Sequence, residues 1–137
     1  MTIFAVAVPV NLLWEMAQTP LYAGARDFSR MLLSCFIASL GDGLLVLLIF
    51  AAGWVAFRRR DWFVRPGVRG YLLMLAFGLI VGVAIERTAT EVAGLWEYTT
   101  RMPRVLGIGL APVAQMLVLP PVIFRVVSAW CRHRATA

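Results

Sequence analysis

The chain has 137 residues, of which 61% are hydrophobic and only 15% charged, with a mean hydropathy of +0.83. Soluble domains carry roughly 45–50% apolar and 25% charged residues, and a domain this small has too much surface for its volume to hide such an excess from water, whereas a bilayer removes the conflict. The net charge of +6 rests on 13 arginines with no lysine; set in short stretches between apolar runs, they fit anionic lipid headgroups and argue against nucleic acid.

Cys35 and Cys131 fall in separate apolar runs without CxxC spacing, so no disulfide framework is expected. The single histidine, His133, lies in the basic C-terminal tail. That excludes bis-His haem and His-based zinc, and the sequence predicts neither a metal nor a cofactor.

A transmembrane helix needs about 20 mainly apolar residues. Four segments meet this, which predicts an all-α integral membrane four-helix bundle in a single transmembrane domain. The first span covers about residues 3–20 and is the most polar. Its opening residues look like a signal-peptide core but lack a positive flank and a convincing cleavage site, so an uncleaved span is expected. The second, about 31–57, is long enough to tilt. The third covers about 70–90 and the fourth about 105–127. Pro103 and the glycines at 107 and 109 mark the start of the fourth, and Pro112 and the pair Pro120-Pro121 are expected to kink it.

The loop with Arg58, Arg59, Arg60, Arg65 and Arg69, and the tail with Arg132 and Arg134, are expected to face the cytoplasm, as are both termini. The opposite side keeps Arg26, Arg30, Arg101 and Arg104, so the bias is moderate. Trp14, Tyr22, Trp96 and Tyr98 are placed at the outer interface, and Trp54, Trp62 and Trp130 at the inner one.

Polar groups inside the apolar runs form the candidate site, because ionisable groups at membrane depth cost about 2.5–3.5 kcal/mol each on insertion scales and turn to an interior or a wet cavity. Asn11, Glu15 and Gln18 are spaced i, i+4, i+7 on one helical face. Ser39 and Asp42 are spaced i, i+3, and Asp42 is flanked by Gly41 and Gly43, which allow close approach. Gly78, Gly82 and Glu86 recur every four residues, a small-residue seam that aims Glu86 into the bundle. Ala111 and Gln115 share a face in the fourth span. From a rise of about 1.5 Å per residue, Asp42 and Gln115 lie roughly 15 Å deep and Glu15 and Glu86 nearer the outer surface. One pocket in the outer half is expected, with Arg87, Arg101 or Arg104 as counter-charges. In the plainer reading the same amides and hydroxyls are interhelical glue, worth about 0.6 kcal/mol each on average.

The pattern Asn11-x-x-Trp14-Glu15-x-x-Gln18-x-Pro20-Leu21-Tyr22, then Gly41-Asp42, Glu86, Trp96-x-Tyr98-x-x-x-Met102-Pro103 and Gly109-x-x-Pro112-x-x-Gln115, resembles a group of small four-span bacterial inner-membrane proteins. The resemblance covers nearly the whole chain and implies the topology and a bacterial inner-membrane location, but no activity. A fainter similarity, of fold alone, is to the small membrane-embedded carotenoid cyclases, whose acid residues protonate a polyene; it carries no residue roles across.

The expected function is binding or acid–base processing of a lipophilic molecule such as an isoprenoid, quinone or lipid. Glu15 and Glu86 are cast as the acid–base pair and Asp42 as their electrostatic partner. Asn11, Gln18 and Gln115 are cast as orienting groups, with Ser39, Arg87, Trp96 and Tyr98 as further ligand contacts. The alternatives are proton or cation transport through the carboxylates, and service as an accessory subunit of a larger membrane complex. Expected partners are membrane lipids, a lipophilic small molecule, and a second copy or another membrane protein.

Overall fold

The computed structural model describes residues 2–23, 27–92, 94 and 96–135, with the side chains of Val92 and of residues 133–135 outside the description. Arg26, and the side chains of His133 and Arg134, therefore lie outside the described residues. Four α-helices make up most of the described chain: α1 (Thr2–Gln18), α2 (Phe28–Phe57), α3 (Gly67–Arg87) and α4 (Leu110–Ala135). By length and composition α2, α3 and α4 can each cross a membrane. At about 1.5 Å per residue α1 is roughly 25 Å long, just under the ~30 Å of a hydrocarbon core.

α1 packs on α2 and α4, and α3 packs on α4, while α2 and α3 touch little. The helices thus lie in the order α2, α1, α4, α3. α2 starts at Asp27, whose carboxylate accepts a hydrogen bond from the Ser29 N–H at 3.0 Å and so satisfies one of the free donors of the first turn. It stops at Arg58, which takes the left-handed conformation (φ 55°). Phe36, Ile37, Leu44, Leu48 and Val55 of α2, and Leu72, Leu75, Leu79 and Ile80 of α3, remain exposed. Apolar faces of that extent are at ease in hydrocarbon and not in water.

The core is divided along the helix axes. At the end that carries the termini it is apolar apart from Ser128: Ala7, Val46, Ile49, Met74, Ile123, Phe124 and Val127 pack around Trp62. Trp62 is 2% exposed and belongs to the core, not to an interfacial belt as its place in an arginine-rich loop predicts. It folds back because Gly53 leaves a notch for it: a Cβ at Gly53 would stand 2.1 Å from the indole, whose N–H donates to the Phe50 carbonyl at 3.1 Å. Phe57, Phe63 and Phe124 ring the indole region, with centroids 5.5–5.7 Å apart in successive pairs with Trp62, Phe124 and Phe50.

The fourth helix begins later than the hydropathy suggests. Residues Arg104–Val105 (β1) and Ile108–Gly109 (β2) form a small antiparallel hairpin, pairing Arg104 with Gly109 and Val105 with Ile108. Leu106 and Gly107 both have positive φ (53° and 82°), the backbone that a two-residue hairpin turn requires. With α4 starting at Leu110, Pro112 sits in its first turn, where its missing N–H is no loss, so it is not the kink expected of it. Pro120 is different. It leaves the Met116 carbonyl, four residues earlier, without its helical donor. Gly78 of α3 packs directly on that carbonyl, and a Cβ there would come within 2.2 Å of the oxygen.

Candidate functional site

The opposite end of the bundle is polar inside. Asn11, Gln18, Gln115 and Glu86 are buried there, at 0–6% exposure. Gln115, from α4, is the hub. Its Nε2 donates to Asp42 Oδ2 of α2 at 2.7 Å and to Asn11 Oδ1 of α1 at 3.0 Å, and its Oε1 accepts from Gln18 Nε2 at 3.2 Å. Gln18 also donates to Glu15 Oε1 at 2.9 Å and accepts from the Trp14 indole at 3.1 Å. Asn11 donates to the Ala7 carbonyl at 2.9 Å. The i, i+4, i+7 face of α1 is thereby joined to α2 and α4 by one network. Glu15 and Asp42, each half-buried, lie within hydrogen-bonding reach of one another, with Gln115 against both.

Glu86 stands one step away. Its carboxylate accepts from the Tyr98 hydroxyl. The Trp96 indole lies beside the same carboxyl, but its buried Nε1 makes no well-formed hydrogen bond. Backbone pairing carries these aromatics over the site: Ala23 N–H donates to the Glu97 carbonyl and Thr99 N–H to the Leu21 carbonyl, both at 2.9 Å, which bridges Tyr22 to Tyr98. The Tyr22 ring lies 5.8 Å from that of Tyr98 and 6.2 Å, edge to face, from that of Trp96. Gly109 gives Tyr98 its place, since a Cβ there would press on the phenol at 2.9 Å. Burial, and then the Glu86 carboxylate, push the Tyr98 phenol up to about 12 and the Tyr22 phenol up as well, so both remain hydrogen-bond donors at neutral pH.

The chain matches no family model, no curated protein and no solved structure.

Glu15, Asp42, Asn11, Gln18 and Gln115 come together, and Glu86, Tyr98 and Trp96 form an adjoining group. Ser39 is buried, but its hydroxyl is spent on the Cys35 carbonyl at 2.6 Å, within its own helix. Arg87 is not the counter-charge of Glu86. Neighbours in a helix are about 100° apart around its axis, so burial of Glu86 turns Arg87 outward, where it pairs loosely with Glu91 at 4.0 Å. Arg101 and Arg104 are exposed, and among the described residues no arginine pairs with Glu15, Asp42 or Glu86. Trp14 and Tyr22, which their positions place at the outer interface, belong to the site instead, Trp14 through Gln18 and Tyr22 through its packing on Trp96 and Tyr98; the sequence signal for Trp14 is its position one turn before Gln18.

The acid cluster is closed on itself by hydrogen bonds. Of the glycines flanking Asp42, Gly41 is exposed and a Cβ there would meet nothing within 4 Å, whereas Gly43 is pressed against Phe4 and Val8 of α1. Glu15 and Asp42, each only half-buried, remain partly accessible. Arranged in this way, paired carboxyls can hold and pass a proton, and the amides fix which oxygens remain available for it.

Proposed function

We propose that the chain is a multi-pass protein of the bacterial inner membrane, with α1 as a fourth span and both termini cytoplasmic, and that its acid–amide network binds the polar head of a lipophilic molecule and exchanges a proton with it. On this reading the chain belongs with the small four-span inner-membrane proteins that its motifs resemble. One observation carries the proposal: Glu15 and Asp42 meet inside an apolar bundle with amide partners and, among the described residues, no arginine. Two carboxyls joined by a hydrogen bond hold a proton between them, and a carboxyl that keeps its proton in hydrocarbon can donate it to a carbonyl, hydroxyl or alkene.

Glu86, held by Tyr98, is the second acid–base group, and the buried Trp96 N–H beside the same carboxyl, without a well-formed hydrogen bond of its own, can turn to an oxygen of the ligand. A lipophilic ligand would reach the half-buried Glu15 and Asp42 from the bilayer, so isoprenoids, quinones and lipids fit better than water-soluble substrates. Proton or cation transport is the weaker reading. Beyond the network, towards the termini, the bundle interior is filled by Val46, Ile49, Trp62, Met74, Ile123 and Phe124, which offer an ion no polar path.

The test is lipid analysis of protein purified from membranes in mild detergent. Mass spectrometry is expected to find one isoprenoid, quinone or related species enriched over bulk lipid, and lost in Asp42→Asn and Gln115→Leu. Recovery of bulk phospholipid alone, unchanged by either substitution, would refute the proposal. Carboxylate-dependent proton or cation flux in liposomes would replace it with transport.

A further inference from the structure

A cavity of about 230 Å3 opens at the termini end, between the 62–64 turn, α3 and α4. Phe63 and Phe124, whose ring centroids are 5.5 Å apart, make an apolar wall. Arg125, Ser128 and Arg132 line another side from α4 at i, i+3 and i+7, so all three fall on one helical face, and Tyr71 of α3 completes the rim. Ser128 is spent inside the wall, its hydroxyl bonded to the Phe124 carbonyl at 2.6 Å and the Phe63 carbonyl at 3.3 Å. The bond to Phe63 ties the 62–64 turn to α4 beside the arginines. Among the described residues no carboxylate lines it, and the nearby acid of the loop, Asp61, is engaged with Arg59 through two contacts of 3.2 Å.

We propose that this cavity binds a phosphate group, supplied by the headgroup of an anionic phospholipid. Two guanidinium-bearing side chains, Arg125 and Arg132, facing one cavity make an anion site, and the planar fork of arginine matches phosphate oxygens two at a time. The half-buried Phe63 and the exposed Tyr71 at the rim suit the glycerol and first methylenes of a lipid, with Phe124 buried behind them. The volume holds a headgroup and not a whole molecule, since pockets for complete drug-sized ligands run about 300–1,000 Å3. Acyl chains have somewhere to go: Val122 and Val118, one and two turns before Arg125, are exposed on the outside of α4. Basic pockets between spans on the cytoplasmic side commonly hold anionic headgroups. The phosphate chemistry stands on the cavity alone; only the lipid source rests on the membrane reading above.

The experiment is native mass spectrometry of delipidated protein in detergent, with added phosphatidylglycerol, phosphatidylcholine or glycerol 3-phosphate. Phosphatidylglycerol is expected to be retained over phosphatidylcholine, with retention falling roughly tenfold in R125Q/R132Q and less in R125K/R132K, where charge stays but the fork is lost. R101Q/R104Q removes the same charge from the opposite end and is expected to leave retention unchanged. Equal loss in that control, no loss in R125Q/R132Q, or no preference for the anionic lipid would overturn the proposal. Should R125Q/R132Q lose helical circular dichroism, R125K/R132K against R101Q/R104Q decides. Glycerol 3-phosphate competing as well as the lipid would uphold the phosphate site and overturn the lipid source. Carbonate extraction tests the membrane reading separately.

Discussion

Removing a buried amide whose two N–H groups and carbonyl are all engaged, as in Gln115, strands partners on two other helices. Interhelical hydrogen bonds within membranes average about 0.6 kcal/mol each, and stranded buried groups add to that, so Gln115→Leu is expected to cost about 2 kcal/mol. Thermal unfolding in detergent measures it; a loss below about 0.5 kcal/mol would mean that the network contributes nothing beyond ordinary glue. Tyr98 gives a pH dependence of definite sign. Its phenol is pushed from the usual value near 10 up to about 12, first by burial and then by Glu86. The folded chain therefore keeps a proton that the unfolded chain has lost, so this contribution to stability is complete below about pH 10 and disappears as pH rises through about 12. Tyr22 acts with the same sign. Near-ultraviolet titration is expected to show late-ionising phenols, one of which disappears in Tyr98→Phe along with part of the alkaline loss of stability.

Two glycines with similar sequence settings are expected to behave oppositely when enlarged. Gly78→Ala drives a methyl into the Met116 carbonyl, which Pro120 has left without a helical donor, and is expected to cost about 1–3 kcal/mol as overpacking does. Gly41→Ala meets open space within α2 and is expected to be neutral or to stabilise by about 0.5–1 kcal/mol through helix propensity. Paired melting curves of the two variants check this, and equal effects would show that α3 does not rest on α4 at Gly78. The spacing of Asn11, Glu15 and Gln18 made one face of α1 legible in the sequence, because helical period alone sets which side chains share a face. Their common partner, Gln115, lies about a hundred residues away, and no local rule joins them. Hydropathy carried the fourth span through Val105, Leu106 and Ile108, since it weighs apolarity and ignores the left-handed backbone that Leu106 and Gly107 adopt in the hairpin. Arginines on either side disguised Trp62 as a belt residue, when the notch at Gly53 draws it into the core.

At the scale of the molecule, the four helices divide into an apolar half at the termini end and a polar half opposite, and the topology proposal turns on which half faces the cytoplasm. Cys131 is exposed near the end of α4 and Cys35 is buried, so the chain carries its own reporter. A membrane-impermeant maleimide is expected to label Cys131 in inside-out vesicles and not in right-side-out ones; the opposite pattern would invert the topology. Composition and hydropathy by themselves determined a helical chain with helices able to span a membrane, because apolar length is a sum over residues and needs no knowledge of neighbours. Which acids meet, which arginines they lack and which tryptophan is core were decided only by the tertiary structure. Those outcomes depend on rotation and register between helices, set by close packing at Gly43, Gly53 and Gly78 and by hydrogen bonds between distant residues.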